Sequence, residues 1–280
     1  MIQKEQIYEA FKIGFSDYSV PINFGMDSFF ERFFGLEGNR LEHSVIAIED
    51  EEPIGLILGG IRQFDGYKNM RCGTLCVSPK HRGSGVSGKL FDLFLENAVK
   101  NKCERLSLEV LSHNKRAIRF YEKRGFEKKN KLLYYSANTP DVLNCLALND
   151  NIRIVETDCL AAIKLRDEIS NLHINWQNET DYFSLDKEAR CFAAYNKDNL
   201  VGTLVITTSG KIYNLFVVEK YRRKMVASSL LNFSIYQLKP EKLNIGMSDN
   251  IDMRDFLMKL NFMKEEVEQY EMFRLLDRLE

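Results

Sequence analysis

Three glycines, Gly83, Gly85 and Gly88, fall within six positions of the run Pro79 to Leu90, PKHRGSGVSGKL. The run joins a strand-like segment, Met70 to Val77, to a segment with helical spacing, Gly88 to Val99. Glycines at such a junction let the main chain turn tightly and approach a ligand, while free N–H groups and the helix dipole favour an anion there. A diphosphate suits that cradle. The run does not complete GxxxxGK[ST], since Leu90 follows Gly88-Lys89, and the GxGxxG spacing of Gly83, Gly85 and Gly88 lacks an acidic residue after the next strand, which argues against ATP and NAD. A glycine-rich turn also has a purely steric reading. Its weight therefore comes from the residues downstream: Leu106 to Val110 with Glu109, then Asn114, Ala117, Phe120-Tyr121 and Gly125-Phe126.

Apolar residues Ile2, Ile7, Tyr8, Phe11 and Phe15 share a helical face, and Ser28 to Phe34, with Phe29, Phe30, Phe33 and Phe34, predicts a second helix. Strands are expected over Ser44 to Glu49 and Ile54 to Ile61, joined as a hairpin at Asp50-Glu51-Glu52-Pro53. After Met70 to Val77 and the helix to Val99 come a strand, Arg105 to Val110, a helix, Asn114 to Lys123, and a strand, Lys131 to Tyr135. The pattern lapses near Asn138-Thr139-Pro140 and restarts with a strand, Ile152 to Val155, and a helix, Leu160 to Ile169. A repeat is present. Leu75 to Arg82 lies over Leu215 to Arg222 at an offset of 140, and Phe120 to Phe126 over Phe256 to Phe262 at an offset of 136. Two domains, 1–139 and 140–280, each long enough to bury its own core, are the expectation.

The ordered set of glycine loop, strand, N-x-x-A helix with Tyr121, and terminal Gly125-Phe126 resembles the GNAT superfamily of N-acetyltransferases. Arg82 and Gly85 match its loop signature, with Ser87 where Gly or Ala is usual. The resemblance implies an α/β (α+β) fold of two tandem GNAT-like domains, each a mixed, largely antiparallel sheet flanked by helices. It implies acetyl-CoA as cosubstrate, its pyrophosphate held by the amides of Arg82, Gly83, Ser84, Gly85, Val86, Ser87 and Gly88. The pantetheine arm would pair with the strand edge at Leu75, Cys76 and Val77, meet Asn114, and pass Ala117, Phe120 and Tyr121. The reaction implied is direct transfer of acetyl to a primary amine of a small molecule or peptide, with Tyr121 as proton donor to sulfur and Glu109 as base, directly or through water. A CoA-binding sensor or scaffold without turnover is the alternative.

The second half serves as an internal control. Gly83-Ser84-Gly85 becomes Arg223-Lys224-Met225, and Glu109, Tyr121 and Gly125 become Ile245, Leu257 and Asn261. Asn250 persists opposite Asn114, where a helix N-cap explains it. A degenerate, non-catalytic copy is expected. Composition fits a globular protein: 45% hydrophobic and 28% charged, with 39 basic against 40 acidic residues. No field of one sign draws the chain to nucleic acid, and no apolar run suits a bilayer. The amino terminus lacks the pattern of a signal peptide, so a cytoplasmic location is expected; a monomer or homodimer is the expected assembly. Cys72, Cys76, Cys103, Cys145, Cys159 and Cys191 show no metal-ligand spacing, which predicts free thiols and no metal.

Overall fold

The computed structural model describes residues 3–18, 24–168 and 173–276. The predicted helix ends at Ile2 and Ile169 lie outside them. The chain divides into two compact units that interleave in sequence: 1–110, 114–129 and 271–280 form the first, and 111–113 and 130–270 the second.

The first unit opens with α1 (Lys4–Gly14) and α2 (Met26–Phe30), which runs on as a π-helical turn (Glu31–Leu36). Then come β1 (Arg40–Glu49), β2 (Glu52–Phe64), β3 (Tyr67–Val77), α3 (Val86–Lys100), β4 (Arg105–Leu111) and α4 (Lys115–Glu122). The two-residue period of a strand explains how both faces of β2 are filled. Leu56 and Leu58 meet Ile7, Ala10 and Phe11 of α1, together with Phe29 and Cys76. Gly55 and Gly59, on the other face, lie against Leu90 and Phe94 of α3. Phe29 is fully buried, and Phe30, Phe33 and Phe34 pack around the same cluster, so this aromatic run is core. β1, β2 and β3 are antiparallel, whereas β3 and β4 run parallel. Residues 271–275, the end of the last strand, complete this unit.

The second unit takes most of β5 (Glu127–Asn138), then α5 (Thr139–Leu143), β6 (Ile152–Thr157), α6 (Leu160–Glu168), α7 (Thr180–Phe183), β7 (Ala189–Asn196), β8 (Asn199–Thr207) and β9 (Lys211–Val217). It closes with α8 (Val226–Leu238), β10 (Lys242–Ser248), α9 (Ile251–Lys259) and the leading part of β11 (Met263–Leu275). Its strands follow the order β5-β10-β9-β8-β7-β6. β5 joins this unit because it pairs antiparallel with β10 over Leu132↔Ser248 to Asn138↔Lys242. The core gathers Phe192, Leu204, Leu230, Leu231, Leu243 and Leu257.

The repeat is visible in backbone detail. Opposing pairs Leu58↔Thr74 and Gly59↔Cys72 leave Gly73 as an extra residue, a β-bulge. Pairs Val205↔Asn214 and Ile206↔Ile212 leave Tyr213 extra at the offset of 140.

One expectation is corrected: Cys159 and Cys191 are not free thiols but are joined in a disulfide, since β6 and β7 pair through Thr157↔Cys191 and bring the two chain segments together. Cys72, Cys76, Cys103 and Cys145 are free. The bridge spans 32 residues. Closing a loop of that length removes chain entropy worth about 3–4 kcal/mol from the unfolded state. Reduction should lower the midpoint of urea unfolding accordingly, and an unchanged midpoint would show that the bridge adds nothing to stability.

Candidate active site

The glycine loop is a strand-to-helix turn with two left-handed residues. After a 3-10 turn at Pro79–His81 and extended Arg82, Gly83 and Gly85 adopt φ +85° and +92°. Nothing lies within 4 Å of where a Cβ would project at either position. Gly85 is the N-cap of α3, which begins at Val86 and so takes Val86, Ser87 and Gly88 into its first turn, two residues ahead of the predicted start. The first-turn N–H groups of a helix have no intrahelical acceptor, and the dipole adds positive potential there. The arrangement fits a diphosphate.

Arg82 builds the loop rather than lining it. Its Nε donates to the Val77 carbonyl at 3.1 Å, and its guanidinium binds Asp17 at 2.5 and 2.7 Å and the Gly14 carbonyl at 3.1 Å. This pairing holds the Asp17 carboxyl below its ordinary pKa. The second unit repeats the inner contact, Arg222 Nε to the Val217 carbonyl at 3.3 Å. There, Arg223 and Met225 occupy the left-handed positions, at φ +59° and +62°. The main-chain trace survives while side chains fill the space beside it.

Next to the loop the sheet opens. Parallel pairing of β3 with β4 is confined to Asn69↔Arg105, Met70↔Leu106 and Arg71↔Ser107. Leu75, Cys76 and Val77 pair with β2 on their other side, through Ile57, Leu56 and Gly55. Strands that part in this way leave a slot edged by main-chain donors and acceptors. The Cys76 side chain turns toward α1, with its Sγ 3.7 Å from the Ala10 carbonyl.

Tyr121 and Glu109 both lie in the first unit. Tyr121, on α4, is buried against Phe91 and Phe126, with Cys72 of β3 near its phenol. Burial first, and then Cys72, push its phenol well above the ordinary pKa. The same burial pushes the Cys72 thiol up to about 12. Tyr121 therefore stays protonated at neutral pH. The Glu109 carboxylate accepts from Arg71 Nε at 2.9 Å and Nη2 at 2.6 Å. Burial raises its pKa, and the Arg71 guanidinium opposes that rise. Asn114 caps α4 through its Oδ1, which accepts from Ala117 N at 3.1 Å, just as Asn250 caps α9 with Met253 N at 3.0 Å. Ala117 is half-buried on α4. Half-buried Phe120 carries the Arg124 guanidinium over its ring, 3.7 Å from the centroid.

Sequence reasoning missed Arg71, Glu37 and Cys72. Arg71 had one signal, a charge inside a strand whose neighbours are apolar or small. Among the described residues, no group of three or more His, Cys, Asp or Glu could hold a metal ion, and no helix is long and apolar enough to cross a membrane.

Two family descriptions match the chain: the Acetyltransferase (GNAT) family over residues 5–126 and the Acetyltransferase (GNAT) domain over residues 166–272. The chain belongs to the GNAT superfamily. It has the tandem GNAT architecture, with two mixed, largely antiparallel sheets flanked by helices. Its fold is similar to that of a GCN5-related N-acetyltransferase from Sphaerobacter thermophilus, with TM-score 0.73 and 13% identity over 96% of this chain and 91% of the other. It is also similar to the tandem GNAT protein from the clavulanic acid biosynthesis pathway, with TM-score 0.69 and 13% identity over 98% and 95% of the two chains. The GNAT chain is 26% identical over 114 residues to N-alpha-acetyltransferase 30 of Saccharomyces cerevisiae, covering 38% of this chain and 63% of that protein. It is 31% identical over 102 residues to the human protein of the same name, covering 35% and 27%.

Proposed function

We propose that the chain is an N-acetyltransferase that moves acetyl from acetyl-CoA to a primary amine, with its working site in the first repeat, 1–139, and a non-catalytic copy in 140–280. One observation carries the proposal: β3 parts from β4 beyond Arg71 beside an unobstructed glycine turn at the start of a 15-residue helix, with Glu109 and Tyr121 in the same unit. Acetyl-CoA supplies an acyl thioester. The main-chain amides from Arg82 to Gly88 bind its diphosphate, and the edge of β3 at Leu75 to Val77 pairs with the pantetheine amides. Asn114 orients that arm while capping α4, and Ala117 and Phe120 line its path.

An amine attacks only as its free base. Glu109 takes the proton, directly or through water, and burial places its pKa closer to neutrality, where a general base works best. Tyr121 Oη delivers its proton to the sulfur as the C–S bond breaks and the C–N bond forms. The second unit has Ile245 and Leu257 at the matching positions and Met225 at the helix start, which supports confining chemistry to the first.

The test is release of free thiol from acetyl-CoA across a panel of peptide α-amines, polyamines and amino sugars. The likeness of part of the chain to two proteins named N-alpha-acetyltransferase 30 puts peptide α-amines first. Tyr121→Phe should lower kcat at least about tenfold, a floor below the roughly 10²- to 10⁴-fold that a positioned proton donor contributes, with acetyl-CoA affinity nearly unchanged. Binding of acetyl-CoA without thiol release on any amine would replace this reading with a binding module. An unaltered kcat in the variant would reassign Tyr121 to packing.

A further inference from the structure

We propose that Arg71 and Glu37 are positioning residues that together set the orientation and ionisation of Glu109; the inference rests on Glu109 being the base. Arg71 is the last residue of β3 paired with β4, so its guanidinium stands where the two strands part. Its partner there is Ser107, and Glu109 follows on the same face of β4. Nε and Nη2 of Arg71 both engage Glu109 Oε2, at 2.9 and 2.6 Å. Nη1 reaches Glu37 Oε2 at 2.9 Å. All three side chains are buried, at 6% exposure for Arg71, 8% for Glu109 and 4% for Glu37.

Glu37 arrives from a distant segment, the end of the π-helical turn, and a specific packing arrangement brings it in. The loop 37–39 lies directly on β2 and β3: a Cβ at Gly60 would overlap the Gly38 carbonyl oxygen, and one at Gly73 would overlap the Asn39 side-chain amide. Asn39 Nδ2 donates to the Phe33 carbonyl at 2.8 Å, tying the loop to the π-helical turn. The bulge at Gly73 is thus the seat that lets Glu37 share Arg71 with Glu109. The groups that bear on Glu109 are Arg71 and Cys72 from β3, Glu37 from this loop and Glu271 from β11. A guanidinium fixed between two carboxylates holds each less strongly than it would hold one alone. Removing Glu37 should make Glu109 ionise more readily, and removing Arg71 should make it ionise less readily.

These opposite signs separate positioning from plain scaffolding. The full chain, labelled with 13C at glutamate carboxyl carbons, is titrated by NMR, with the Glu109 resonance assigned by its loss in Glu109→Gln. Glu37→Gln should move the Glu109 midpoint to lower pH, and Arg71→Met to higher pH, each by about one unit, a tenfold change in ionisation. Arg71→Lys, which keeps the charge but loses the fork, should give a smaller upward shift and covers the case in which Arg71→Met fails to fold. The acid limb of the pH profile of kcat/KM should move with each midpoint. Shifts of the same sign, or none, in folded variants would overturn the proposal. Midpoints that move while the acid limb stays would uphold the network and remove Glu109 from the role of base.

Discussion

Glutamine in place of Glu109 should lower kcat/KM by about 10²- to 10⁴-fold, the range a positioned general base contributes. The acid limb of the pH profile should vanish with it. The sign follows from the environment: burial raises the Glu109 pKa, activity needs the deprotonated form, and so the wild-type rate falls as pH drops through that raised value. Glutamine keeps the shape and one oxygen for Arg71, whose Nη1 remains paired with Glu37 at 2.9 Å. The fold should therefore persist, which circular dichroism and the midpoint of urea unfolding would check. A pH profile retaining its acid limb in Glu109→Gln would mean that bulk water or another group removes the amine proton.

Methionine in place of Gly85 should abolish acetyl-CoA binding. At a hundredfold excess over Kd, a ligand stabilises the fold it binds by about 2.7 kcal/mol, and the variant should show none of that gain. The second unit is the structural control, since Met225 occupies the corresponding N-cap of α8 at φ +62°. A left-handed non-glycine residue costs about 1–2 kcal/mol, so the variant should fold with modestly lower stability. What changes is access: space open at Gly85 receives a side chain where the diphosphate approaches the amides. Full retention of the ligand-induced shift in Gly85→Met would place the binding site elsewhere.

The two units together separate scaffold from chemistry. Both keep the bulge before the loop, the arginine that binds the carbonyl five residues back, the left-handed turn and the asparagine cap. These features hold a strand, a turn and two helices in register whatever the turn binds. Only the first has the bare glycines, Glu109 and Tyr121.

Local chemistry made much of this legible in the amino-acid order alone. The glycine turn, the caps at Asn114 and Asn250, the repeat and the succession of strands and helices depend on residues a few positions apart, and periodicity reports them directly. The degeneracy of the second turn was equally plain from Arg223 and Met225. Tertiary structure alone decided the rest. Arg71 meets Glu109 across 38 residues, Cys159 meets Cys191 across 32, and β5 pairs with β10 from the other half of the chain. Such contacts follow from which strands neighbour one another and where a loop is seated, and no local period of the sequence encodes either.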